Sequence, residues 1–321
     1  MAGPSDDMPR VGADELLLRA AWYYYKDELT QDEIARRLSL SRASVGRMLD
    51  RARRVGLVSI TLNAEHLATF ELASQLCEAF SISEALVVPD YDADAASQRT
   101  VNARLGLGGA QYLSTHLRPG ASMGVGWGDT VGRVMAATDI ATVGSLHLVT
   151  LTGGVEGYLQ ALAYSRSDRD VLNASVIPSP IVASTPTLAA ALRAEPTIQE
   201  VLQLARNLPM AMVGVGTATP DSTLVRMGYL SAADARVLTA KGVVGDILGQ
   251  FFDINGTVLD LPLHERRIGI ELEDLRGIGK VVGVAGGVAK VDAIRGALNG
   301  GYLDVLVTNE TVARQLLKHH H

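Results

Sequence analysis

Two sets of residues in this chain have the types and spacing to do chemistry on a partner, and the first is a run of arginine. Between Arg36 and Arg54 stand seven arginines and a single acid, Asp50. The surrounding text, TQDEIARRLSLSRASVGRMLDRARR (30–54), sets Ile34, Leu38, Val45 and Leu49 at helical spacing on two short helices. Thr30 and Ser41 precede these helices, and each hydroxyl can accept an orphan amide proton as an N-cap. Ala35 is small where the two helices must cross. A short basic second helix has the shape and charge that enter a DNA major groove. Ser41, Arg42, Ser44 and Arg47 are therefore expected to face bases or phosphates, with Gln31 near the phosphate backbone. The tight turn before that helix favours Gly for its positive φ, and Ser39 stands there at an expected cost of about 1 kcal/mol.

The second set is a series of apolar runs that end in glycine or a polar residue: GVGWGDT (124–130), LTGG (151–154), GVGT (214–217), VAGG (284–287) and VTNE (307–310). Glycine lets a backbone approach an anion closely, and a helix that starts just afterwards turns its N–H groups toward that anion. Gly126, Gly128, Asp129 and Thr130 thus form a candidate phosphate loop, with Thr130 offering a hydroxyl. Gly153, Gly154, Gly286 and Gly287 are expected at the same rim. Lysine is scarce, 5 against 24 arginines, so Lys290, three residues past VAGG, stands out as an ammonium able to pair with a phosphate; the alternative is a solvated first-turn lysine. Asp253 in GQFFDING can accept bonds from sugar hydroxyls or form a turn before Asn255-Gly256. Glu310 joins the candidate site or merely stabilises a helix dipole. Trp127 reads as a wall of the pocket. The strings at 124–129 and 283–288 both miss G-x-G-x-x-G, and Gly279-Lys280 lacks the rest of a Walker A loop. No nucleotide, metal or other cofactor is expected.

The elements that must position these residues follow from periodicity. Residues 13–28 carry Leu16, Leu17, Ala20, Ala21 and Tyr24 at helical spacing, with Tyr24 taken to be the inward member of the tyrosine triplet. LVSITL (57–62) reads as a short strand, either a wing or a connector, and a helix over about 65–80 turns Leu67, Phe70, Ala73, Leu76 and Phe80 to one face. Beyond it, runs at 85–89, 122–127, 146–154, 175–180, 210–217, 280–287 and 303–310 lack strict alternation, as strands of a parallel sheet covered on both faces do. Helical stretches near 97–117, 129–138, 187–207, 231–239 and 290–299 intervene. The fold class is α/β: an N-terminal helix-turn-helix domain (13–60) and a large open, mostly parallel α/β effector domain (61–318). Residues 1–12 read as a disordered tail and 319–321 as a tag remnant. In an open α/β sheet, ligands bind beyond the carboxyl ends of the strands, where the glycine-ended runs fall.

Composition sets bounds on partners. The chain has 321 residues, 47% of them hydrophobic and 20% charged, which suits a well-buried core. Its net charge of −6 conceals an asymmetry: residues 1–60 sum to +1, which leaves −7 for the rest. An acidic large domain does not adhere to nucleic acid by itself, so DNA affinity must come from the small domain, used in pairs. The single cysteine, Cys77, excludes a disulfide framework. A polar N-terminus and the lack of an apolar run of about 20 residues point to a cytoplasmic protein with no membrane contact.

The order of these motifs resembles the SorC family of bacterial sugar-binding transcriptional regulators, over about residues 14–317. The likeness rests on LTQDEIARRLSLSRASVGRMLDRARRVGLVSI, GVGWGDT, LTGG, GDILGQFFDINGTV and VVGVAGGVAKVDAIRGALNGGYLDVLVTNE. It implies an N-terminal DNA-binding domain and an effector domain similar to the sugar-phosphate isomerase and glucosamine-phosphate deaminase fold. It also implies a homodimer or homotetramer whose grip on operator DNA a phosphorylated sugar switches. Carried over by residue, the resemblance implies a phosphate loop at Gly126, Gly128, Asp129 and Thr130, a lysine at Lys290 and a sugar-facing aspartate at Asp253. This chain reads Thr308-Asn309-Glu310 where the family usually has Thr-Asp before the Glu, a change expected to alter which sugar fits. The expected function is a carbohydrate-responsive regulator, acting as a repressor and not as an enzyme. The competing expectation is a sugar-phosphate isomerase or deaminase with a DNA-binding appendage.

Overall fold

The computed structural model describes residues 13–58, 64–90, 97–138, 146–154 and 173–318. Residues 1–12, expected as a tail, 319–321, expected as a tag remnant, and 59–62 of the expected strand lie outside the described residues. The chain divides after Asn63 into two compact units.

In the first unit, α1 (Ala13–Tyr25), α2 (Gln31–Leu38) and α3 (Arg42–Arg54) pack around Ala20, Ile34, Ala35, Val45 and Leu49. The small Ala20 and Ala35 let the helices approach. Thr30 caps α2 in a reciprocal box: its hydroxyl accepts from Glu33 N, and the Glu33 carboxylate accepts from Thr30 N at 2.8 Å. Ser39 closes α2 in the left-handed region at φ 53°. Of the three tyrosines, the sequence reading picked the wrong one. Tyr23 is the half-buried member that packs on the core, with the Arg37 guanidinium 4.7 Å from its ring centroid, while Tyr24 is exposed. Three adjacent positions span most of a helical turn, so only the inter-helix packing selects among them.

The second unit is built on seven strands: β1 (Glu84–Val88), β2 (Ser122–Val125), β3 (His147–Thr150), β4 (Ala174–Ser175), β5 (Ala211–Gly214), β8 (Val281–Val284) and β9 (Val305–Asn309). They form one parallel sheet in the order β1-β9-β8-β5-β2-β3-β4. Successive residues serve opposite faces: Ala211 and Val213 join one apolar cluster and Met212 the other. Both faces are therefore covered, which is why these runs carry no polar alternation. The chain lays β2, β3 and β4 outward in one direction, then returns to place β5 beside β2 and continues through β8 and β9 in the other. The crevice between β2 and β5 is a topological switch point.

Two elements behind this crevice fix its walls. The helix α5 (Gln98–His116) crosses α6 (Asp129–Ala137) so closely that a Cβ on Gly106 would lie 2.8 Å from Arg133 Cβ. An antiparallel hairpin, β6 (Gly245–Ile247) and β7 (Gln250–Phe252), stands apart from the main sheet and was not foreseen. The expected helix at 187–207 is two helices, Pro186–Ala194 and Pro196–Arg206, because Pro196 forces Glu195 into an extended conformation. In α4 (Ala64–Phe80), Leu72, Leu76 and Phe80 are buried, whereas Phe70 is 73% exposed, against expectation. The buried Thr69 takes the inward place next to it.

This placement predicts opposite outcomes for two apolar residues of α4. Leu76→Ala should cost about 2–5 kcal/mol in denaturant unfolding, whereas Phe70→Ser should cost under ~0.5 kcal/mol. Equal losses would contradict the burial described.

Candidate functional site

In the first unit, the basic helix is shaped by its own cap. Ser41 Oγ accepts from Ser44 N at 3.1 Å and lies 2.9 Å from Ser44 Oγ, while Arg47 donates to Ser44 Oγ at 3.1 Å. Ser41 is thus a helix cap as well as a candidate DNA contact, and Ser44 holds the Arg47 guanidinium near the start of α3. Arg42 pairs with Asp32 at 3.5 Å, both well exposed. Gln31 sits against Gly46, where a Cβ would meet its Oε1 at 3.7 Å. Gln31, Arg42, Ser44 and Arg47 therefore gather about the beginning of α3, and the exposed Arg51, Arg53 and Arg54 extend the basic surface along it.

In the second unit, a cleft opens at the switch point. Trp127, Gly128, Asp129 and Thr130 follow β2, Gly214 to Gly216 follow β5, Lys290 follows β8, and Asp246 and Leu248 come from the hairpin. Gly128 precedes α6 at φ 133°, a conformation that L side chains rarely adopt. The first backbone bond of α6 runs from Gly132 N to Gly128 O, so the amides of Asp129, Thr130 and Val131 have no partner within the helix. The Asp129 carboxylate accepts from Asn102 at 2.7 Å and from Arg133 at 2.9 Å. Burial pushes its pKa up, but these two donors outweigh burial and hold it below the usual value.

Lys290 is half-buried, as is the contact in which its Nζ donates to Val215 O at 2.9 Å. Burial pulls its pKa below that of an ordinary lysine, against the opposing pull of Asp246 and Asp129. Asp246 is buried; burial raises its pKa to about 6, against the Gly249 amide, which donates to Oδ2 at 3.1 Å, and the Lys290 charge. Arg226, exposed at the end of the short helix Thr223–Arg226, acts electrostatically on both Asp129 and Lys290. Lys290 thus lines the cleft with its ammonium held by a backbone carbonyl. Trp127 meets Tyr229 edge-on, with ring centroids 6.0 Å apart, and forms the aromatic wall of the cleft.

Not every expected residue reaches this cleft. Asp253 does not: its Oδ1 accepts from Asn255 N at 2.9 Å and Thr257 N at 2.8 Å, a turn that packs near Gly296, toward the far end of the helix Val291–Asn299. Asp246, seven residues earlier in GDILGQFFD, is the aspartate that the hairpin presents instead. Gly153 and Gly154 pack beneath the residues 179–181, where any Cβ would collide with Pro180 O and Ile181; they serve backbone approach, not the cleft lining. Gly286 and Gly287 stand beside the cleft in a polar chain. Gln98 donates to Gly286 O at 2.8 Å and to Asn102 Oδ1 at 2.8 Å. Asn309 accepts from Gly287 N at 3.0 Å and donates to Asp90 at 2.8 Å. An aspartate at position 309 has no proton to donate to Asp90 when ionised, so the Thr-Asn-Glu departure has a structural counterpart here. Glu310 pairs with Arg314 at 2.6 Å at the start of the last helix. The residues missed in the sequence, Asp246, Arg226, Asn102 and Gln98, carried one signal: an acid between Gly245 and the Leu248-Gly249 turn.

The sugar-binding domain family (Sugar-bind) matches residues 64–318. The chain belongs to this SorC-like family of transcriptional regulators. The transcriptional regulator LsrR of Enterobacter sp. (strain 638) is 35% identical over 308 residues, 95% of this chain and 93% of that protein. LsrR of Escherichia coli (strain SMS-3-5 / SECEC) is 36% identical over 310 residues, 95% of each. The full-length sorbitol operon regulator SorC from Klebsiella pneumoniae superposes with a TM-score of 0.69 at 28% identity, covering 96% of this chain and 100% of that one. The family match covers the α/β unit, and the small unit lies before it in the chain. Among the described residues, no helix is long and apolar enough to cross a membrane.

The buried carboxyl of Asp246 has a pH signature. Its folded pKa of about 6 lies above the ordinary 3.8, so the folded protein holds the proton more tightly than the unfolded chain does. That contribution to stability is full below the unfolded value and is lost as pH rises through about 6. Asp246→Asn should therefore be more stable than the parent above pH 6, by ~1–3 kcal/mol, with the difference vanishing at low pH. A pH series of thermal unfolding that shows a constant difference would contradict the assignment.

Proposed function

We propose that this SorC-like regulator binds operator DNA through α3 and a phosphorylated sugar in the β2–β5 cleft, and that sugar binding changes its hold on the operator. The observation that carries the effector reading is Lys290: a half-buried ammonium that lines the cleft and donates to a backbone carbonyl, beside the orphan amides of α6. Such a corner holds an anion well, since amide dipoles and a cation in a site of low dielectric act together. Arg226 adds a second cation from the rim. Asp246 and Asn102 supply acceptors and a donor for hydroxyl groups. A ligand anionic at one end and hydroxylated along its length fits this set; the phosphate would occupy the Gly128–Thr130 loop.

The DNA reading rests on the exposed arginines of α3 and on the Ser41–Ser44–Arg47 linkage at its start. A single such helix contacts one half-site, so we assign a homodimer or homotetramer that presents two helices about 34 Å apart. The regulator acts as a repressor, and the cleft is a receptor without turnover; relatives named as transcriptional regulators over almost the whole chain support that choice.

Isothermal titration with aldose and ketose phosphates, each beside its free sugar, tests the cleft. One phosphate ester should bind, its free sugar should bind at least ~10-fold more weakly, and Lys290→Met should weaken the ester by ~10- to 100-fold. Equal binding of the free sugar, or an unimpaired Lys290→Met variant, would overturn the assignment. For α3, Arg47→Ala should lose ~1–3 kcal/mol of discrimination between operator and scrambled DNA at fixed salt. Unchanged sequence preference in anisotropy measurements would remove Arg47 from base contact.

A further inference from the structure

The largest fully buried side chain among the described residues is a charged one, Arg267, only 1% exposed. It lies outside the cleft lining and contacts none of the groups assigned to the ligand. Enclosing a guanidinium costs several kcal/mol unless its protons are well placed, so where they go is informative. Nη2 donates to Ile270 O at 2.7 Å and pairs with Glu271 at 2.9 Å; Nη1 reaches Leu248 O at 3.4 Å; Nε is buried without a partner. The planar fork therefore ties the strap 267–271 to the turn of the β6–β7 hairpin.

That turn is conformationally demanding. Leu248 and Gly249 are its two central residues, with φ of 54° and 78°, the type I′ geometry that favours Asn-Gly over a leucine. A leucine at positive φ is strained and persists only where its surroundings over-determine it. The surroundings here are the Arg267 stem and fork: a Cβ on Gly249 would meet Arg267 Cδ at 3.5 Å. The same turn serves the cleft twice, because Leu248 lines it and the Gly249 amide donates to Asp246 Oδ2. The strap itself is anchored on both sides. Gly153 N donates to Ile268 O at 3.0 Å, Ile268 N to Ile181 O at 2.8 Å, and Arg193 to Arg267 O at 2.6 Å. His264 accepts from Phe251 N at 3.0 Å and pins the other strand of the hairpin.

We propose that Arg267 is a positioning residue of the effector cleft: without touching the ligand, its guanidinium holds the Leu248–Gly249 turn in the geometry that lets the Gly249 amide bind the Asp246 carboxylate. The inference deepens the reading of the cleft as a ligand site, yet its test is made on the ligand-free chain and stands whichever ligand the cleft takes. Arg267→Lys keeps the charge and loses the fork. Lysine cannot hold Ile270 O, Glu271 and Leu248 O in one plane, so the turn is released. The groups that face Arg267, namely Glu271, Arg193, His264 and Asp274, stay in place, as does Lys290 opposite Asp246.

Two measurements on the full-length protein decide the matter. In a ¹³C NMR titration of the Asp246 carboxyl, assigned with Asp246→Asn, loss of the amide donor should move the midpoint upward by ~0.5–1 pH unit in Arg267→Lys, a three- to tenfold change in proton affinity. In amide hydrogen exchange, Gly249 should lose at least ~10-fold protection, while β8 amides such as Val282 keep theirs. If Arg267→Lys does not fold, Glu271→Ala, which removes the half-exposed anchor of the guanidinium, should give a smaller shift in the same direction. An unmoved Asp246 midpoint with Gly249 still protected would overturn the proposal. Loss of protection spread evenly over the sheet, with no change at Asp246, would overturn it equally, because that marks a role in general stability alone.

Discussion

A half-buried ammonium and a buried carboxylate, Lys290 and Asp246, set the constraint on which the large unit depends. Neither charge is stable inside protein without partners, and each sits where the backbone supplies one: Val215 O for the lysine, the Gly249 amide for the aspartate. Those partners exist only if β5, β8 and the β6–β7 hairpin converge on one side of the sheet. The reversal of strand order between β2 and β5 produces that convergence, and both apolar clusters hold it rigid. Burial of the Asp246 charge costs stability, the pattern expected of the ligand corner proposed above.

The surroundings of that pair explain why so many glycines lie at strand ends without sharing one task. Gly128 provides the backbone conformation that starts α6 at the cleft. Gly153 and Gly154 let the strap 267–271 and the residues 179–181 close over the end of β3. Gly286 and Gly287 admit Gln98 and Asn309 into a chain of amides that runs from Asp129 to Asp90. The cleft wall and the ends of β1 and β9 are thus coupled through oriented hydrogen bonds, which gives a bound ligand a physical route to elements beyond the cleft.

How much of this is legible in the residues alone depends on the signal each one carries. The seven strands are, because buried parallel strands write continuous apolar runs, and so is the helix pair α2–α3, because its caps, its arginines and its apolar spacing agree. The hairpin that carries Asp246 is not. Its strands are three residues long, and its Leu248-Gly249 turn lacks the Asn or Asp that marks type I′ geometry. Asp253, followed by Ile-Asn-Gly, looked the more prominent acid, but that prominence came from turn chemistry, and the turn is what it makes. Phe70 and Tyr24 failed for a related reason: apolarity states that a residue may be buried at low cost, not that the neighbouring helices leave room for it. The strap with Arg267 is invisible in the sequence, since its meaning comes from contacts with residues 19 and more positions away, such as Leu248 and Ile181.

In the function proposed above, occupancy of the cleft governs DNA binding by α3. The most direct test is fluorescence anisotropy of the full-length protein on DNA fragments around the promoter of its own gene, at fixed salt, with and without a panel of sugar phosphates. The account predicts tight binding to one fragment and a shift of at least ~10-fold in affinity with one phosphorylated sugar, a coupling of about 1.4 kcal/mol. Binding that falls with salt, prefers no fragment and ignores every compound would contradict it.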